Sequence, residues 1–472
     1  MINIKFENLG PISSGEIELA PLTVICGRNN VGKTYVSHTI ACCLDKSNII
    51  VELLNSLRNS EIGPDAENAM HLGNIEYNCE KIIPDVRKIE QQRSRTLATK
   101  GLNDYFNVGG SLFKNLNIEI TYKFELKNEI FSREISEVFE SGSSVYKFKK
   151  PKDSFIFNIT HIGANQEKDS STYLFLFVIL INIVNELFPN TTVITSERTG
   201  IALFYKALDT AMSDLGHEVS TKIRTTNRES IKHLTSSISD SFNFSTAIKD
   251  NINQIRQGEN KKNDLSELFD DEMKQLLETI SGGNFIESSN EINFKPKNGN
   301  TTIPMSATSS SVKSIYLIEN FIKYISDDRC LVVIDEPELN LHLDNQIQMA
   351  RVITKLVNSG VKVVITTHSD HLLRELNTLM MLSSNAIPSD EKQDIIEDFK
   401  IPAGCIIKPE HVKAFVISAQ ERKLFPAEVN EYGINLDLFN REILKNNRRL
   451  REITGILSNY LPENSNQDSR YE

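Results

Sequence analysis

The segment VICGRNNVGKTYVSHTIACCL, residues 24–44, constrains the fold more strongly than any other part of the sequence. The apolar run PLTVIC leads into it and predicts a buried strand, and from Val31 to Leu44 apolar residues recur at helical spacing without a proline. The loop between strand and helix fits the pattern GxxxxGK[ST] at every fixed position. This order predicts a phosphate-binding loop (P-loop) made of Gly27, Arg28, Asn29, Asn30, Val31, Gly32, Lys33 and Thr34.

A P-loop binds phosphate for a physical reason. Glycines let backbone N–H groups turn toward phosphate oxygens, and the following helix presents unpaired donors and the positive end of its dipole. Lys33 is expected to reach the β- and γ-phosphates, and the Thr34 hydroxyl is expected to ligate Mg²⁺. The predicted cofactors are therefore ATP and Mg²⁺.

A second motif, LVVIDEPE at residues 331–338, supplies the groups that hydrolysis needs. Its apolar run predicts a strand buried on both faces that delivers Asp335 to the carboxyl end of the sheet. There Asp335 can hold Mg²⁺ through its water shell, and Glu336 can orient and deprotonate the attacking water. The predicted metal ligands are thus Thr34 and Asp335.

His368 ends the next apolar run, VVITTHS at residues 363–369. A histidine at the carboxyl end of a parallel strand lies at the edge of the sheet where ligands bind. From there its imidazole can contact the γ-phosphate or hold the water. Glu336 and His368 are therefore the predicted catalytic residues.

Composition and charge exclude several other functions. The 472 residues are 39% hydrophobic and 24% charged, which is typical of a folded globular chain. The net charge of −11 repels nucleic acid overall, so direct binding would need a local basic patch. Six cysteines without CxxC or zinc spacing favour the cytoplasm. The run YLFLFVILINIVNELF, residues 173–188, is too short in apolar length to span a membrane and predicts a buried helix.

Patterns along the chain predict one α/β head with inserted and appended pieces. Residues 1–60 carry an antiparallel meander and the P-loop, 61–160 an inserted mixed α/β lobe, 161–202 the head core, 203–285 a helical insertion, 286–400 the second part of the head, and 401–472 a helical segment with a disordered tail.

The order of P-loop, serine-rich loop, DEPE, LHLDNQ and TTHS resembles the ABC-type ATPase heads shared by SMC-like repair proteins, transporter nucleotide subunits and OLD-family ATPases. The amino-terminal FENLGPISSGEIELAPLTVICGRNNVGKTYV and the segment ITSERTGIALF, residues 194–204, resemble the stand-alone AAA-type branch found in anti-phage defence operons. The resemblance covers about half of the chain. It implies a mixed sheet with an antiparallel β-lobe and hydrolysis of ATP.

The resemblance also assigns roles to three further segments. SATSSSVKS, residues 306–314, matches the signature loop, which in this family completes the active site of the opposite subunit in an ATP-sandwiched dimer. Ser309 and Ser310 would then contact the partner's nucleotide, although Ser311 stands where the family commonly has glycine. The other residues carried over are Asn340, His342 and Asp344 in a D-loop-like segment, and Glu197 and Arg198 in the SER segment. The sequence assigns no Q-loop glutamine.

Two functions from different classes follow. The first is an ATPase switch, a dimer or larger ring that holds or releases a separately encoded effector nuclease of the TOPRIM or HNH type in response to a phage trigger protein. Residues 400–472 lack the acidic cluster of a fused TOPRIM nuclease, and the ATPases of the phage anti-restriction-induced systems (PARIS) and of Septu-like systems share most of these motifs. The alternative is an SMC-like ATPase that acts directly on DNA. Two further hypotheses for the function are a transporter subunit and a non-catalytic scaffold.

Overall fold

The computed structural model describes residues 2–58, 74–78, 80, 83–110, 112–122, 134–141, 144–162, 168–207, 244–260, 266–287, 292–324, 329–435 and 452–453. The predicted disordered tail, residues 462–472, lies outside this part of the chain, as do residues 208–243 of the predicted helical insertion.

The described residues include eighteen strands and the twelve α-helices named below. The strands are β1 (Ile2–Leu9), β2 (Ile12–Glu18), β3 (Leu22–Cys26), β4 (Asn74–Asn78), β5 (Asn117–Tyr122), β6 (Ile135–Ser141), β7 (Ser144–Lys150), β8 (Ile156–Ile162), β9 (Asn190–Ile194), β10 (Gly283–Glu287), β11 (Ile292–Pro296), β12 (Ile303–Pro304), β13 (Cys330–Asp335), β14 (Lys362–Thr367), β15 (Val412–Ser418), β16 (Lys423–Ala427), β17 (Val429–Asn430) and β18 (Gly433–Ile434). The helices are α1 (Lys33–Cys43), α2 (Lys46–Arg58), α3 (Ile83–Thr96), α4 (Leu102–Phe106), α5 (Lys168–Leu187), α6 (198–207), α7 (Thr246–Asn260), α8 (Asp271–Ser281), α9 (Ser310–Tyr324), α10 (Leu343–Asn358), α11 (Asp370–Met381) and α12 (Ser389–Asp398).

A mixed sheet of nine strands forms the centre, in the order β5-β1-β2-β16-β15-β3-β14-β13-β9. From β15 to β9 neighbouring strands are parallel. Every residue of β3 and β13 is buried, as expected for strands covered on both faces. Alternate side chains enter different cores: Val333 and Ile25 belong to one apolar cluster, Val332 and Val24 to the other.

Helices cover both faces of the parallel strands. The cluster that contains Val333 includes Val36 of α1 and Ile179 of α5. The opposite cluster includes Ile315 of α9 and Leu372 of α11. Residues 176–187 of the predicted apolar run therefore lie in a helix that packs in the interior, as predicted. None of the helices in the described part of the chain combines the length and the hydropathy needed to cross a membrane.

The amino-terminal strands form the antiparallel lobe that the alternating sequence predicts. β1 pairs with β2 on one side and with β5 on the other, with Ile4 opposite both Ile17 and Ile120. β1 alternates between buried and exposed positions because one face packs on the core. β5 falls in the segment predicted as an inserted lobe, yet it extends the central sheet. The inserted lobe keeps a separate antiparallel sheet, β4-β8-β7-β6.

The prediction of a helical segment over residues 401–472 is wrong for its described part. Residues 412–434 form β15 to β18, and β15 lies in the middle of the central sheet beside β3. The run VKAFVIS is buried along most of its length, and β15 pairs with β16 as a hairpin. Its register on β3 places Val412 opposite Leu22 and Val416 opposite Cys26. Apolar runs of this length favour a buried strand over a surface helix.

Candidate nucleotide-binding site

The carboxyl ends of three neighbouring strands meet at one edge of the sheet. β14 lies between β3 and β13, and it pairs Thr367 with Cys26 and Thr366 with Asp335. The predicted P-loop follows β3, Glu336 follows β13, and His368 follows β14. Ligands bind in open parallel sheets at this edge. Three motifs that are far apart in the sequence therefore lie together.

The loop between β3 and α1 is open to solvent at its tip. Arg28, Asn29 and Asn30 are exposed, whereas Gly27 is buried and donates its backbone N–H to the Thr367 carbonyl at 3.3 Å. Gly32 precedes the first residue of α1 and has no side chain to cap the helix. The first amide groups of α1 can therefore turn toward a bound anion.

Gly32 has a φ of 105°, and a Cβ there would lie 2.8 Å from Pro11 Cγ and 3.0 Å from Ile12 Cγ1. Gly32→Ala is therefore expected to lower the free energy of unfolding by about 1–3 kcal/mol and to weaken ATP binding, because the loop must shift. Urea unfolding and titration with a fluorescent ATP analogue measure the two effects. Gly109→Ala is the control, since a Cβ there meets no atom within 4 Å. Wild-type stability and affinity in the Gly32 variant would contradict this account.

Lys33 is buried at the base of the loop. Its Nζ donates to the carbonyls of Gly27 at 3.1 Å and Arg28 at 3.0 Å, and it lies 3.7 Å from Glu336 Oε1. The neighbouring Thr34 is exposed at the mouth of the loop. The ammonium group and the carboxylate are thus close enough to serve one ligand.

Asp335 is buried among donors. Its Oδ1 accepts hydrogen bonds from Ser37 at 2.8 Å and from Thr366 at 3.0 Å, and its Oδ2 lies 2.9 Å from His38 Nε2. Burial raises the pKa of Asp335, but His38, Ser37 and Thr366 stabilise the ionised form and hold that pKa below its ordinary value. The imidazole of His38 stacks on Phe106 of α4, with ring centroids 5.6 Å apart. Asp335 therefore remains an ionised oxygen donor despite its burial.

Glu336 and His368 contact one another at the edge of the site. His368 Nδ1 lies 3.5 Å from Glu336 Oε1 and 3.2 Å from Glu338 Oε1. The hydrogen bond from His368 lowers the pKa of Glu336, and Glu336 in turn raises the pKa of His368. Glu338 is buried and accepts hydrogen bonds from Thr367 Oγ1 at 2.8 Å and from the His368 amide at 2.9 Å. Glu336 is thus ionised near neutral pH, as a proton acceptor must be.

Arg198 lies behind these carboxylates, at the start of α6. It is fully buried, and its guanidinium donates to the backbone carbonyls of Asp335 at 2.7 Å and Glu336 at 2.6 Å. Its neighbour Glu197 is exposed. β9, which runs into this segment, is the direct neighbour of β13 in the sheet. The SER segment therefore supports the backbone at the carboxyl end of β13.

The serine-rich loop is placed differently. Ser309 and Ser310 are exposed at the start of α9, and the Ser309 hydroxyl accepts the amide of Val312 at 3.2 Å. Lys313 Nζ donates to the Thr308 carbonyl at 2.8 Å and so braces the loop from inside. These hydrogen bonds lie within the loop and its own helix. Both serine side chains are therefore exposed to solvent and accessible to a partner molecule.

The D-loop-like segment follows Glu338 at the surface. Asn340 has a φ of 61° and donates through Nδ2 to Thr199 Oγ1 at 3.2 Å. His342 and Asp344 are both exposed, with His342 Nδ1 3.3 Å from Asp344 Oδ2. Like the serine-rich loop, this segment presents polar groups outward.

Hydroxyl and carboxylate oxygens make this edge suitable for Mg²⁺. Thr34 and Asp335 are the hard oxygen donors that Mg²⁺ prefers. In the described part of the chain, no group of three or more His, Cys, Asp and Glu side chains could hold a metal ion. A cation at this edge would therefore need to share its ligands with water and with phosphate oxygens, as Mg²⁺ commonly does.

A family model described as AAA ATPase domain matches residues 1–373, a stretch that includes the P-loop, Asp335, Glu336 and His368. The chain belongs to the AAA ATPase domain family. This family membership makes the protein an ATP hydrolase. Together with the sheet order, it confirms the predicted α/β class, a P-loop ATPase domain with a mixed sheet and an antiparallel amino-terminal lobe. No curated protein matches the sequence of this ATPase.

Among solved structures, the AAA ATPase is similar to three SMC head domains. The SMC head bound to the C-terminal winged-helix domain of ScpA shares 10% identity and covers 91% of this chain and 98% of its own, with a TM-score of 0.37. An SMC head with an extended coiled coil, bound to the C-terminal domain of ScpA from Pyrococcus furiosus, shares 14% sequence identity. The match covers 96% of this chain and 100% of that chain, with a TM-score of 0.31. The SMC head from Thermotoga maritima shares 10% sequence identity, and the match covers 90% of this chain and 98% of that head, with a TM-score of 0.30.

Sequence reasoning missed four residues that contact the site of this ATPase. They are Ser37, His38, Glu338 and Thr366. Ser37 and His38 lie one helical turn after Thr34, on the face of α1 that meets β13, so their spacing gave a usable signal. Glu338 is the second glutamate of DEPE. The sequence does not distinguish its role from that of Glu336, whereas the structure shows that Glu338 is buried.

Proposed function

We propose that this ATPase binds Mg²⁺ and ATP between the P-loop of one subunit and the serine-rich loop of a second copy. The ATP-bound assembly then holds or releases a separately encoded effector nuclease in bacterial anti-phage defence. The observation that carries the proposal is that the predicted catalytic residues and the serine-rich loop lie on different elements of one subunit. Lys33 lies 3.7 Å from Glu336 at the sheet edge, where β13 ends with Asp335, while Ser309 and Ser310 stay exposed at the start of α9.

The residues around the sheet edge have distinct proposed roles. Lys33 neutralises the β- and γ-phosphates, and its position 3.7 Å from Glu336 brings the reacting phosphate near the base. Thr34 and Asp335 would hold Mg²⁺, which when bound neutralises charge that develops on the phosphates. Glu336 accepts the proton of the attacking water.

His368 has a proposed role beside that base. Its contact with Glu336 supports a part in orienting the carboxylate or the γ-phosphate.

The effector is proposed as a separate protein. The partner would be a TOPRIM or HNH nuclease encoded alongside, with a phage protein as the trigger, as in PARIS-like or Septu-like systems. The described cysteines are buried, which suits a reducing compartment, and the cytoplasm is the proposed location.

The alternative is an SMC-like ATPase that acts directly on DNA. The net charge of −11 opposes this function, because phosphate contacts dominate the affinity of proteins for DNA. Purification from the native host with and without ATP separates the two. A co-purifying nuclease that ATP retains or releases supports the switch, whereas salt-sensitive DNA binding without such a partner supports the alternative.

Ser310→Arg tests the shared site. Ser310 is the exposed first residue of α9, so a long charged side chain there obstructs a partner without emptying the core. ATP affinity is expected to remain near wild type, because the P-loop is intact. Hydrolysis is expected to fall at least about 10-fold, since transition-state contacts from the second subunit are lost. Steady-state hydrolysis and ATP-analogue titration measure the two quantities.

Ser389→Arg is the matched control, because Ser389 is likewise the exposed first residue of a helix, α12. Mixing the Ser310 variant with a Lys33→Ala variant supplies one intact P-loop and one intact serine-rich loop in the same assembly. Hydrolysis above the sum of the separate proteins is expected. Normal hydrolysis by the Ser310 variant alone would rule out a role for this loop.

A further inference from the structure

Arg198 is a buried cation that serves four backbone carbonyls. None of its surface is exposed to solvent. Its Nε donates to the Ser314 carbonyl at 2.9 Å, its Nη1 to Asp335 at 2.7 Å and Thr195 at 3.3 Å, and its Nη2 to Glu336 at 2.6 Å. A planar guanidinium can arrange several donors at fixed angles, which a lysine ammonium cannot reproduce. The side chain is therefore a rigid connector between separate parts of the chain.

Three of the four carbonyls that it contacts belong to two functional elements. Asp335 ends β13, and Glu336 follows it with a φ of 48°, a left-handed backbone conformation that is unfavourable for a side chain other than glycine. Ser314 lies on α9, whose first residue is Ser310. Arg198 thus contacts the backbone of the predicted base and the helix that carries the serine-rich loop.

Surrounding charges explain why the cation is retained in the interior. Burial lowers the pKa of Arg198 to about 10, while Glu338, Asp335 and Glu336 favour its charged form. The guanidinium therefore stays protonated at neutral pH. It donates to the backbone carbonyls of Asp335 and Glu336, whereas Lys33 Nζ lies 3.7 Å from the Glu336 side chain. Removal of Arg198 leaves several buried carbonyls without a donor, which is unfavourable.

We propose that Arg198 is a positioning residue that couples the conformation of Glu336 to the placement of α9. This inference rests on the proposed function, in which Glu336 activates water and the serine-rich loop acts on the nucleotide of a second copy. When α9 is displaced, the carbonyl of Ser314 moves relative to the guanidinium, and the support of the Glu336 backbone changes with it. Arg198 thereby links Glu336, which acts on the ATP of its own subunit, to the serine-rich loop, which acts on the ATP of a partner subunit.

Arg198→Lys tests the coupling. The variant keeps the charge but loses the fork of donors, so kcat is expected to fall about 10- to 100-fold, as for a small misplacement of a catalytic group. The Kd for an ATP analogue is expected to stay within about threefold, because Lys33 and the P-loop amides are unchanged. A loss of affinity equal to the loss of kcat would overturn the proposal, and so would a wild-type kcat.

Arg351→Lys is the matched control. Arg351 is also buried and also donates to carbonyls, those of Lys400 at 3.2 Å and Phe399 at 3.4 Å, but it lies on α10 and pairs with Glu375. Thermal unfolding of both variants compares their stability. At a similar loss of stability, only the Arg198 variant is expected to lose kcat; an equal loss in both would make the effect merely structural. Arg198→Gln, which removes the charge and keeps an amide donor, repeats the test if the lysine variant does not fold.

Combination with Ser310→Arg gives a readout that a structural role would not move. If Arg198 acts through α9, the lysine substitution lowers kcat much less in the Ser310→Arg background than in the wild type. Full additivity would overturn the coupling. Failure of the proposed function is distinguishable, because Glu336→Gln would then hydrolyse ATP at the wild-type rate. A defective Glu336→Gln variant together with a fully active Arg198→Lys variant would overturn the inference alone.

Discussion

Lys33→Ala is expected to weaken ATP binding by at least about 100-fold. Hydrogen bonds to a charged group contribute about 1.5–3 kcal/mol each, and Lys33 is expected to serve both the β- and the γ-phosphate. The combined loss of about 3–6 kcal/mol corresponds to at least two orders of magnitude in Kd. In the structure, the Lys33 Nζ donates hydrogen bonds to the Gly27 and Arg28 carbonyls at the base of the loop. Calorimetry with a non-hydrolysable ATP analogue measures the loss.

Lys355→Ala is the control for this substitution. Lys355 is a second buried lysine, on α10, and its Nζ lies 2.9 Å from Asp270 Oδ2 and 2.5 Å from Glu272 Oε2. Its removal changes stability through lost ion pairs but leaves the sheet edge intact, so ATP affinity is expected to persist. Wild-type affinity in the Lys33 variant would show that the glycine loop does not bind the triphosphate.

Glu336→Gln is expected to abolish most hydrolysis while it preserves binding. The amide is nearly isosteric with the carboxylate but cannot accept the proton of water, and general-base catalysis contributes about 10²–10⁴-fold to rates. The Lys33 ammonium, 3.7 Å away, and the P-loop amides remain for the phosphates. The ATP-bound assembly is therefore expected to accumulate. Single-turnover hydrolysis and light scattering with ATP follow the chemistry and the assembly separately.

Glu410→Gln controls for the loss of a carboxylate, because Glu410 is exposed and pairs with Lys408 at the surface. It should hydrolyse ATP normally. An unchanged rate in the Glu336 variant would instead show that Glu336 is not the base that activates water. A variant that stays monomeric with ATP would contradict the shared site.

The parts of the site that sequence reasoning recovered are local in the chain. The P-loop needs only the spacing of Gly27, Gly32 and Lys33 between a strand and a helix, and a short apolar run is enough to place Asp335 at a strand end. Both features depend on neighbouring residues, so no knowledge of long-range contacts is required. The roles assigned to these residues stay predictions until the variants are measured.

The spacing of Ser37 and His38 marks one face of α1, but the partners of the supporting residues could not be predicted because they are distant in sequence. His38 meets Asp335, and Arg198 meets Ser314, only because the strand order brings α1, β13 and α9 together. The strands after residue 411 were missed for a different reason, because the local run VKAFVIS already indicates a strand and the prediction of a helical segment passed over it. Only the insertion of this strand beside β3 depends on long-range contacts.

The position of β15 matters for synthesis of the protein. The P-loop strand β3 has β14 on one side and β15 on the other, and β15 is translated after both. A nascent polypeptide on the ribosome therefore displays an unpaired edge next to its glycine loop until residues 412–418 emerge. Exposed edges recruit other strands, so chaperone demand and co-translational aggregation should be concentrated in that interval.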